Sequence, residues 1–559
     1  MELQKHIALY AMKGNFQFHV IKSTKTLYVV QCLGTGCDWR MRAVRVNESP
    51  LFKVTKFNDI HTCSLDYLNG GHRQASGKVI GDCIKGKYDG VGRSYRPKDI
   101  IQDVWTEFGV NITYEKAWRS REHVLESIRR SPELSFAYLP HYCAELEKNN
   151  PGTITHIESD KENMFKYFFL ALGPSLRGFR SSMRRVIAVD GTHLKGKYLG
   201  MLFIASALDG NNHIYPIAFG VGDSENNESW IWFFEKLRQA ISLDDFSELA
   251  IISDRHQSIE RASNLVFPES YHGHCIFHIK QNMKAKKFDP VMFLIYFKAT
   301  KAYRVFEFEV LMTQLSLIDP RAQSYLLAAG FAKWSRAHFP GRRYNILTTN
   351  IAESMNVVLR EAHHLPITML VEHLRDLLQR WFYERRTEAA SLNSMLCKEV
   401  EKHIRKWIDR SRRMDVTPIS HTEYYVRDGC GNGEVNLHNR KCSCKKFDLQ
   451  QLPCVHALAA CANREITVHS LCSRYYTNEA ILVAYAEPIY TVGVEHQRVE
   501  NDIRVLLPPK AKRPCGRPKQ QRIPSQGKTV IIRHCGRCKK SGHNHQTCKE
   551  PIALHPRTE

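Results

Sequence analysis

The stretch RRVIAVDGTHLKGKYLG, residues 184–200, decides how the rest of the chain is read. Val186 to Val189 form an unbroken apolar run, the pattern of a short strand buried on both faces. The run ends on Asp190, and a glycine and a basic loop follow. Asp and Gly are common turn formers, so this stretch alone reads as a strand entering a turn. A carboxylate at the end of a buried strand also suits a metal ligand. Both readings stand at this point.

A second apolar run, LAIISDRHQS, ends on Asp254, and Glu353 lies early in the helical pattern NIAESMNVV. If the two runs pair side by side, both Asp side chains leave neighbouring strand ends. A helix across that edge then brings Glu353 to the same point. Three carboxylates so placed repel one another unless cations lie between them. Two Mg²⁺ (or Mn²⁺) ions there suit phosphodiester cleavage and transfer. The spacing alone is unspecific in a chain with 57 acidic residues. The order of patterns adds weight. VIAV is followed by two strands around an Asp209-Gly-Asn-Asn turn, the helix ESWIWFFEKLRQAI, the strand LAIISD and the helix SIERASNLV. That order matches an RNase H-like core, with Asp190 on its first strand and Asp254 on its fourth.

The 559 residues carry a net charge of +23, which favours a polyanionic partner. No apolar run approaches the roughly 18 residues of a membrane span, so nucleic acid is expected before a membrane surface. The length suggests several domains, and the patterns predict a multidomain α+β chain. Residues 1–66 alternate apolar and polar positions, as short antiparallel strands do. Residues 75–150 read as helices, two of them at 96–130 resembling a helix-turn-helix with Thr113 capping the second. Trp105, Phe108 and Trp118 are expected in its core, with Arg119 and Arg121 toward phosphate. An α/β segment spans 165–375, with helices over about 283–345, and a helical, basic connector covers 376–415. A Cys-rich, turn-rich segment occupies 420–475, and a Pro-rich basic tail follows from about 500.

Seventeen cysteines with no secretory signal pattern argue for zinc rather than disulfides. In CSCKKFDLQQLPCVH, Cys442, Cys444, Cys454 and His456 provide four soft ligands from two tight turns. The pattern resembles the SWIM zinc finger. In CGRCKKSGHNHQTC, Cys535, Cys538, His543 and Cys548 stand at Cys-x2-Cys-x4-His-x4-Cys. This resembles the CCHC zinc knuckle, although its spacers lack the aromatic residue that stacks on bases. Cys32, Cys37, His61 and Cys63 form a third candidate, with two buried thiols and an unrelated His–Cys pair as the alternative. With GCDWRMRA beside it, this segment resembles the WRKY-like N-terminal domain of plant Mutator-type transposases. That resemblance implies a strand in the DNA major groove, with Arg40, Arg42 and Arg45 on its basic surface.

The words VDGTHLKGKYLG, PIAFGVGDSENNESWIWF, ISDRHQSI, HCIFHIKQN and TTNIAESMN resemble Mutator-like (MULE) transposases. The domain order, from N-terminal finger to knuckle, is also similar to that family's. The resemblance implies a catalytic triad of Asp190, Asp254 and Glu353 and an all-α insertion that helps hold DNA. It gives Trp230 as the family tryptophan, which core packing also explains. It gives Cys275 and His278 as a Cys-x2-His element, which a simple core pair also explains, because two ligands do not complete a zinc site. Between residues 501 and 549 there are 13 Lys and Arg against one Asp. Gly516-Arg517-Pro518 partly resembles an AT-hook, with Cys515 where that motif has its first arginine; a solvated tail or import signal fits equally.

These readings lead to a nuclear transposase with two or three structural zinc ions and magnesium or manganese at the acidic site. Its expected partner is double-stranded DNA, at terminal inverted repeats or promoter sites. Protein partners of the SWIM finger and self-association are further expectations. The alternatives are a transposase-derived transcriptional regulator and a zinc-dependent scaffold.

Overall fold

The computed structural model describes residues 2–47, 49, 51–63, 72–88, 97–129, 131–429, 431–464, 466–492 and 505–510. The knuckle residues Cys535, Cys538, His543 and Cys548, and the AT-hook-like Arg517, lie outside the described residues. The chain divides into two units: Met1–Ser135 with Leu365–Met369, and Phe136–His364 with Leu370–Glu559.

The first unit opens on helix α1 (Glu2–Lys13), which the alternating pattern of residues 1–66 did not reveal. Four antiparallel strands follow in sequence order: β1 (Phe18–Ser23), β2 (Leu27–Cys32), β3 (Arg40–Arg45) and β4 (Phe52–Asn58). Their inner side is aromatic, with Trp39 fully buried between Phe16 and Phe18. Helices α2 (Gly77–Ile84), α3 (Pro97–Phe108) and α4 (Tyr114–Arg129) form a second core, with Met12 added from α1. Thr113 caps α4 as expected, accepting from the Lys116 amide at 3.2 Å. The expected aromatic core of this pair needs correcting. Phe108 is buried, but Trp105 and Trp118 are 50% and 39% exposed. Ile100, Val104 and Phe108 share the inner face of α3, and Trp105 follows Val104 by one residue, so helical geometry turns it about 100° away.

In the second unit α5 (Pro132–Asn149) precedes a seven-stranded sheet. Its strands are β5 (Ile154–Ser159), β6 (Phe165–Ala171), β7 (Val186–His193), β8 (Met201–Leu208), β9 (Ile214–Gly222), β10 (Ala250–Ser253) and β11 (Tyr271–His274). Their spatial order is β11-β10-β7-β8-β9-β6-β5. β7, β8 and β9 form an antiparallel meander, and β10 and β11 run parallel to β7. β5 precedes the expected start of this segment at 165 and extends the sheet on the far edge. Helices α6 (Gly173–Ser182), α7 (Asn227–Ile241), α8 (Gln257–Val266) and α9 (Ile276–Ala285) connect and cover these strands. The central strands are buried on both faces, which is why VIAV and LAII read as continuous apolar runs.

The expected helical insertion is present as α10 (Pro290–Lys301), α11 (Val305–Ile318), α12 (Pro320–Ala328) and α13 (Phe331–Trp334). They enclose a core around Met292, Tyr296, Phe308, Met312, Leu326 and Trp334. Next come α14 (Asn350–Val358), α15 (Ile367–Ala390) and α16 (Lys398–Ser411). The connector expected to begin at 376 therefore starts inside a continuous helix. Strands β12 (Asp415–Pro418), β13 (Glu423–Arg427), β14 (Gly433–Asn436) and β15 (Lys441–Cys442) then form a small antiparallel sheet. Helices α17 (Lys446–Gln450) and α18 (Val455–Arg464) accompany it, and α19 (Asn478–Ala484) packs on α6. Part of the expected tail is also anchored: Leu506 is buried, and the Leu507 carbonyl accepts from the Phe165 amide at 2.8 Å.

Candidate functional site

β7 does not end at Asp190, as the sequence suggests, but continues to His193. Pairing with β8 holds this extension, Asp190 facing Ile204 in register. On the other side β10 pairs only with Val186 to Ala188 and stops at Ser253. Asp190 and Asp254 therefore lie at the step where one neighbour has ended and the other goes on. Gly191 is closely packed at this step: a Cβ there would meet Trp230 Cζ2 at 3.3 Å and Met201 Cε at 3.0 Å. Trp230 is fully buried and packs on Phe203 with ring centroids 4.7 Å apart, the core role expected of it.

α14 completes the arrangement. Glu353 lies in its first turn, where its Oε1 accepts from Thr349 Oγ1 at 3.1 Å. Asn356, one turn later on the same face, donates Nδ2 to Asp190 Oδ2 at 2.8 Å. The Asp254 carboxylate accepts the His256 amide at 2.9 Å. Burial, reinforced by the charges of Asp254 and Glu353, pushes the Asp190 carboxyl up to about 8. The charges of Asp254, Glu353 and Glu225 thus all act on Asp190. Glu225 and Asn356 carried no signal as isolated residues; the i, i+3 spacing of Asn356 from Glu353 was the one available clue.

Cys275 and His278 stand against this site rather than apart from it. Cys275 is the N-cap of α9, and its Sγ accepts the Thr349 amide at 3.3 Å. His278 Nε2 lies 3.5 Å from Glu353 Oε1, and Cys275, His278 and Glu353 form a compact group of metal-ligand type. Burial opposes a charged His278 ring, but the Cys275 sulfur and the nearby carboxylates outweigh it and raise the pKa. The Cys275 thiol is lowered against its own burial by His278 and the Thr349 amide.

Two quartets have the ligand set of structural zinc. In the first unit Cys32, Cys37, His61 and Cys63 place their donor atoms within 4.8 Å of one another. Cys37 Sγ is 3.4 Å from His61 Nδ1, and Trp39 stacks on the His61 ring. Arg40 and Arg42 are exposed on the adjoining β3. Arg45 is not: it is half-buried, and its Nε donates to the Ser49 carbonyl at 2.7 Å in the turn to β4. In the second unit Cys442, Cys444, Cys454 and His456 meet in the same way. Gly433 on β14 makes room, since a Cβ there would lie 2.5 Å from His456 Cγ. His456 turns Nδ1 toward Cys442 Sγ, at 3.5 Å, and Nε2 toward Asp428 Oδ2, at 3.8 Å. On α4, Arg119 is exposed and paired with Glu115 at 2.7 Å, while Arg121 is half-buried.

Three protein-family models match segments of the chain. A model described as the MULE transposase domain matches residues 186–282, from the first residue of β7 into α9. One described as MuDR family transposase matches residues 1–54, and one for the SWIM zinc finger matches 434–465. No curated protein matches the chain. The three family matches support a Mutator-like transposase or a protein derived from one. The SWIM match and the two Cys/His quartets support zinc binding, and the transposase DNA-binding match suggests DNA as a partner. Among the described residues no helix is long and apolar enough to cross a membrane.

Proposed function

We propose that the protein is a DNA strand-transferase of the Mutator type, acting in the nucleus through an RNase H-like core. The observation that carries the reading is the place of Asp190 at the step where β10 ends, bonded there by Asn356 of the helix that carries Glu353, with its carboxyl pushed up to about 8 by burial and by the charges of Asp254 and Glu353. The strand order β9-β8-β7-β10-β11, with only β8 antiparallel among these five, supports the RNase H-like assignment. An acidic site so crowded fits divalent cations, and Asp190, Asp254 and Glu353 would hold them. Magnesium or manganese there supplies Lewis-acid stabilisation of phosphate oxygens and an activated attacking oxygen. The protein's own contribution is placement. β8 holds Asp190 in line, Asn356 fixes its carboxylate rotamer, and Thr349 and His278 hold Glu353.

Recognition of the DNA falls to the first unit on this reading. The exposed Arg40 and Arg42 beside the Cys32–Cys63 quartet give a rigid basic surface of WRKY-like design, and α3 and α4 add a second contact. The net charge of +23 supports tight, salt-dependent binding to a polyanion. The decisive experiment is Mg²⁺-dependent nicking of a duplex carrying terminal inverted repeats, wild type against Asp190→Ala. Cleavage by the wild type and a loss of at least about a hundredfold in the variant are expected, since single transition-state contacts already supply that much. Binding without cleavage by either protein would make the chain a transposase-derived regulator. Loss of binding as well would leave a zinc-dependent scaffold.

A further inference from the structure

We infer that Glu260, His272 and His274 form a separate site for a divalent transition metal, zinc in the first place, on the outer edge of the sheet. β11 is the edge strand next to β10, and its residues 272 and 274 are two apart, so their side chains leave the same face. α8 packs on β11 and contributes Glu260. Both histidines are almost fully buried, at 6% and 4% exposure, and all three residues place a ligand atom within 4.8 Å of one another.

The hydrogen bonds fix which nitrogens are free. Ser253 Oγ has one proton, and it donates this to the Asp254 carbonyl at 2.6 Å. Ser253 Oγ must therefore accept from His272 Nε2, which lies 2.8 Å away. A neutral imidazole protonated at Nε2 carries its lone pair on Nδ1. His272 Nδ1 is buried and has no hydrogen-bond partner. Neither ring nitrogen of His274 has a hydrogen-bond partner, and its Nε2 lies 3.6 Å from Glu260 Oε2. Leaving such buried groups unmet is unfavourable. A bound cation satisfies the free lone pairs at once. In a tetrahedral zinc site with bonds near 2.0–2.1 Å, neighbouring donors stand about 3.3 Å apart, so small side-chain rotations close this group.

The other oxygen of Glu260 faces Lys333 Nζ at 3.5 Å, which orients the carboxylate from behind. Arg343 is committed to main-chain carbonyls, including that of His274 at 3.1 Å. Two imidazoles and one carboxylate suit zinc or a neighbouring first-row ion better than magnesium, which prefers oxygen. Three protein ligands leave a fourth position for water or a polar group. An ion here ties α8 to the end of β11 and, through the His272–Ser253 bond, braces the main chain at Asp254.

The site is tested on the full chain by metal content and by cobalt substitution, in an Asp190→Asn background that weakens the acidic site. Glu260→Gln and His274→Ala are each expected to lose one equivalent of bound zinc while the thiolate sites keep theirs. With Co²⁺ the difference spectrum should show visible d–d bands without a sulfur-to-cobalt charge-transfer band. Glu260 is 36% exposed at its side chain, so Glu260→Gln keeps the test intact if His274→Ala does not fold. Equal zinc content in the parent and a folded Glu260→Gln variant, with no cobalt difference spectrum, would overturn the site and leave a metal-free His–Glu pair. That result is independent of whether the protein nicks DNA, so the two readings fail separately.

Discussion

Asp190 shows how one residue changes meaning with its surroundings. Its sequence context, an apolar run and then Gly, fits a turn as well as a ligand. In the fold it is an in-register residue of β7 whose other neighbour has ended, and burial, reinforced by the charges of Asp254 and Glu353, raises it to about 8. The sign of the pH effect follows. A carboxyl raised in the folded state contributes stability that is complete below the ordinary Asp value of 3.8 and is lost as pH rises through about 8. Asp190→Asn removes that loss. In chelator, the variant is expected to melt above the wild type at pH 8–9, with the gap closing toward pH 4. Magnesium should then raise the melting temperature of the wild type and not of the variant. Identical melting curves across this range would mean that Asp190 does not sit in the field we describe.

At the scale of elements, periodicity was a good guide wherever one face of a helix or both faces of a strand are buried. It located β7 and β10 through apolar runs that are buried throughout, and α7, α8 and the helices of 283–345 through one buried face each. It failed for Trp105 and Trp118, where size suggested core and the helical phase points them outward. It also missed α1, whose inner face carries only Ile7, Ala8, Ala11 and Met12. Trp230, by contrast, is fully buried, joins α7 to β8 and lies against Gly191. Trp230→Ala should destabilise the sheet by about 3–5 kcal/mol, read as a lowered calorimetric transition. Trp105→Ala should stay within about 0.5 kcal/mol of wild type. A Trp105 variant as damaged as the Trp230 variant would contradict the packing of α3.

Across the whole molecule, short-range chemistry and long-range assembly divide the work. The Cys442–His456 and Cys32–Cys63 quartets hold regions with small cores of their own, around Tyr424 and Phe447 in one case and Trp39 in the other. Removing zinc should therefore abolish amide-exchange protection in β13, β14 and α18 and in β2 and β3, while β7 to β9 keep theirs. Unchanged protection at 415–465 under chelation would remove the zinc assignment there. The Cys442–His456 set was readable in the chain because its four soft ligands lie within fifteen residues, whereas Cys32 and Cys37 meet His61 and Cys63 only across β3 and β4. The acidic site was readable as three candidates and no more, since Asp190 and Glu353 are 163 residues apart and no local rule brings them together. Strand order and the early end of β10 decided that. Asn356, Asp428 and the pairing of Glu260 with His272 and His274 were decided by tertiary structure alone, because each acts across elements whose contact has no signature in either element. By itself the chain determined which residues can bind metal. Only the fold, by choosing which buried groups share one low-dielectric space, decided which of them lie together.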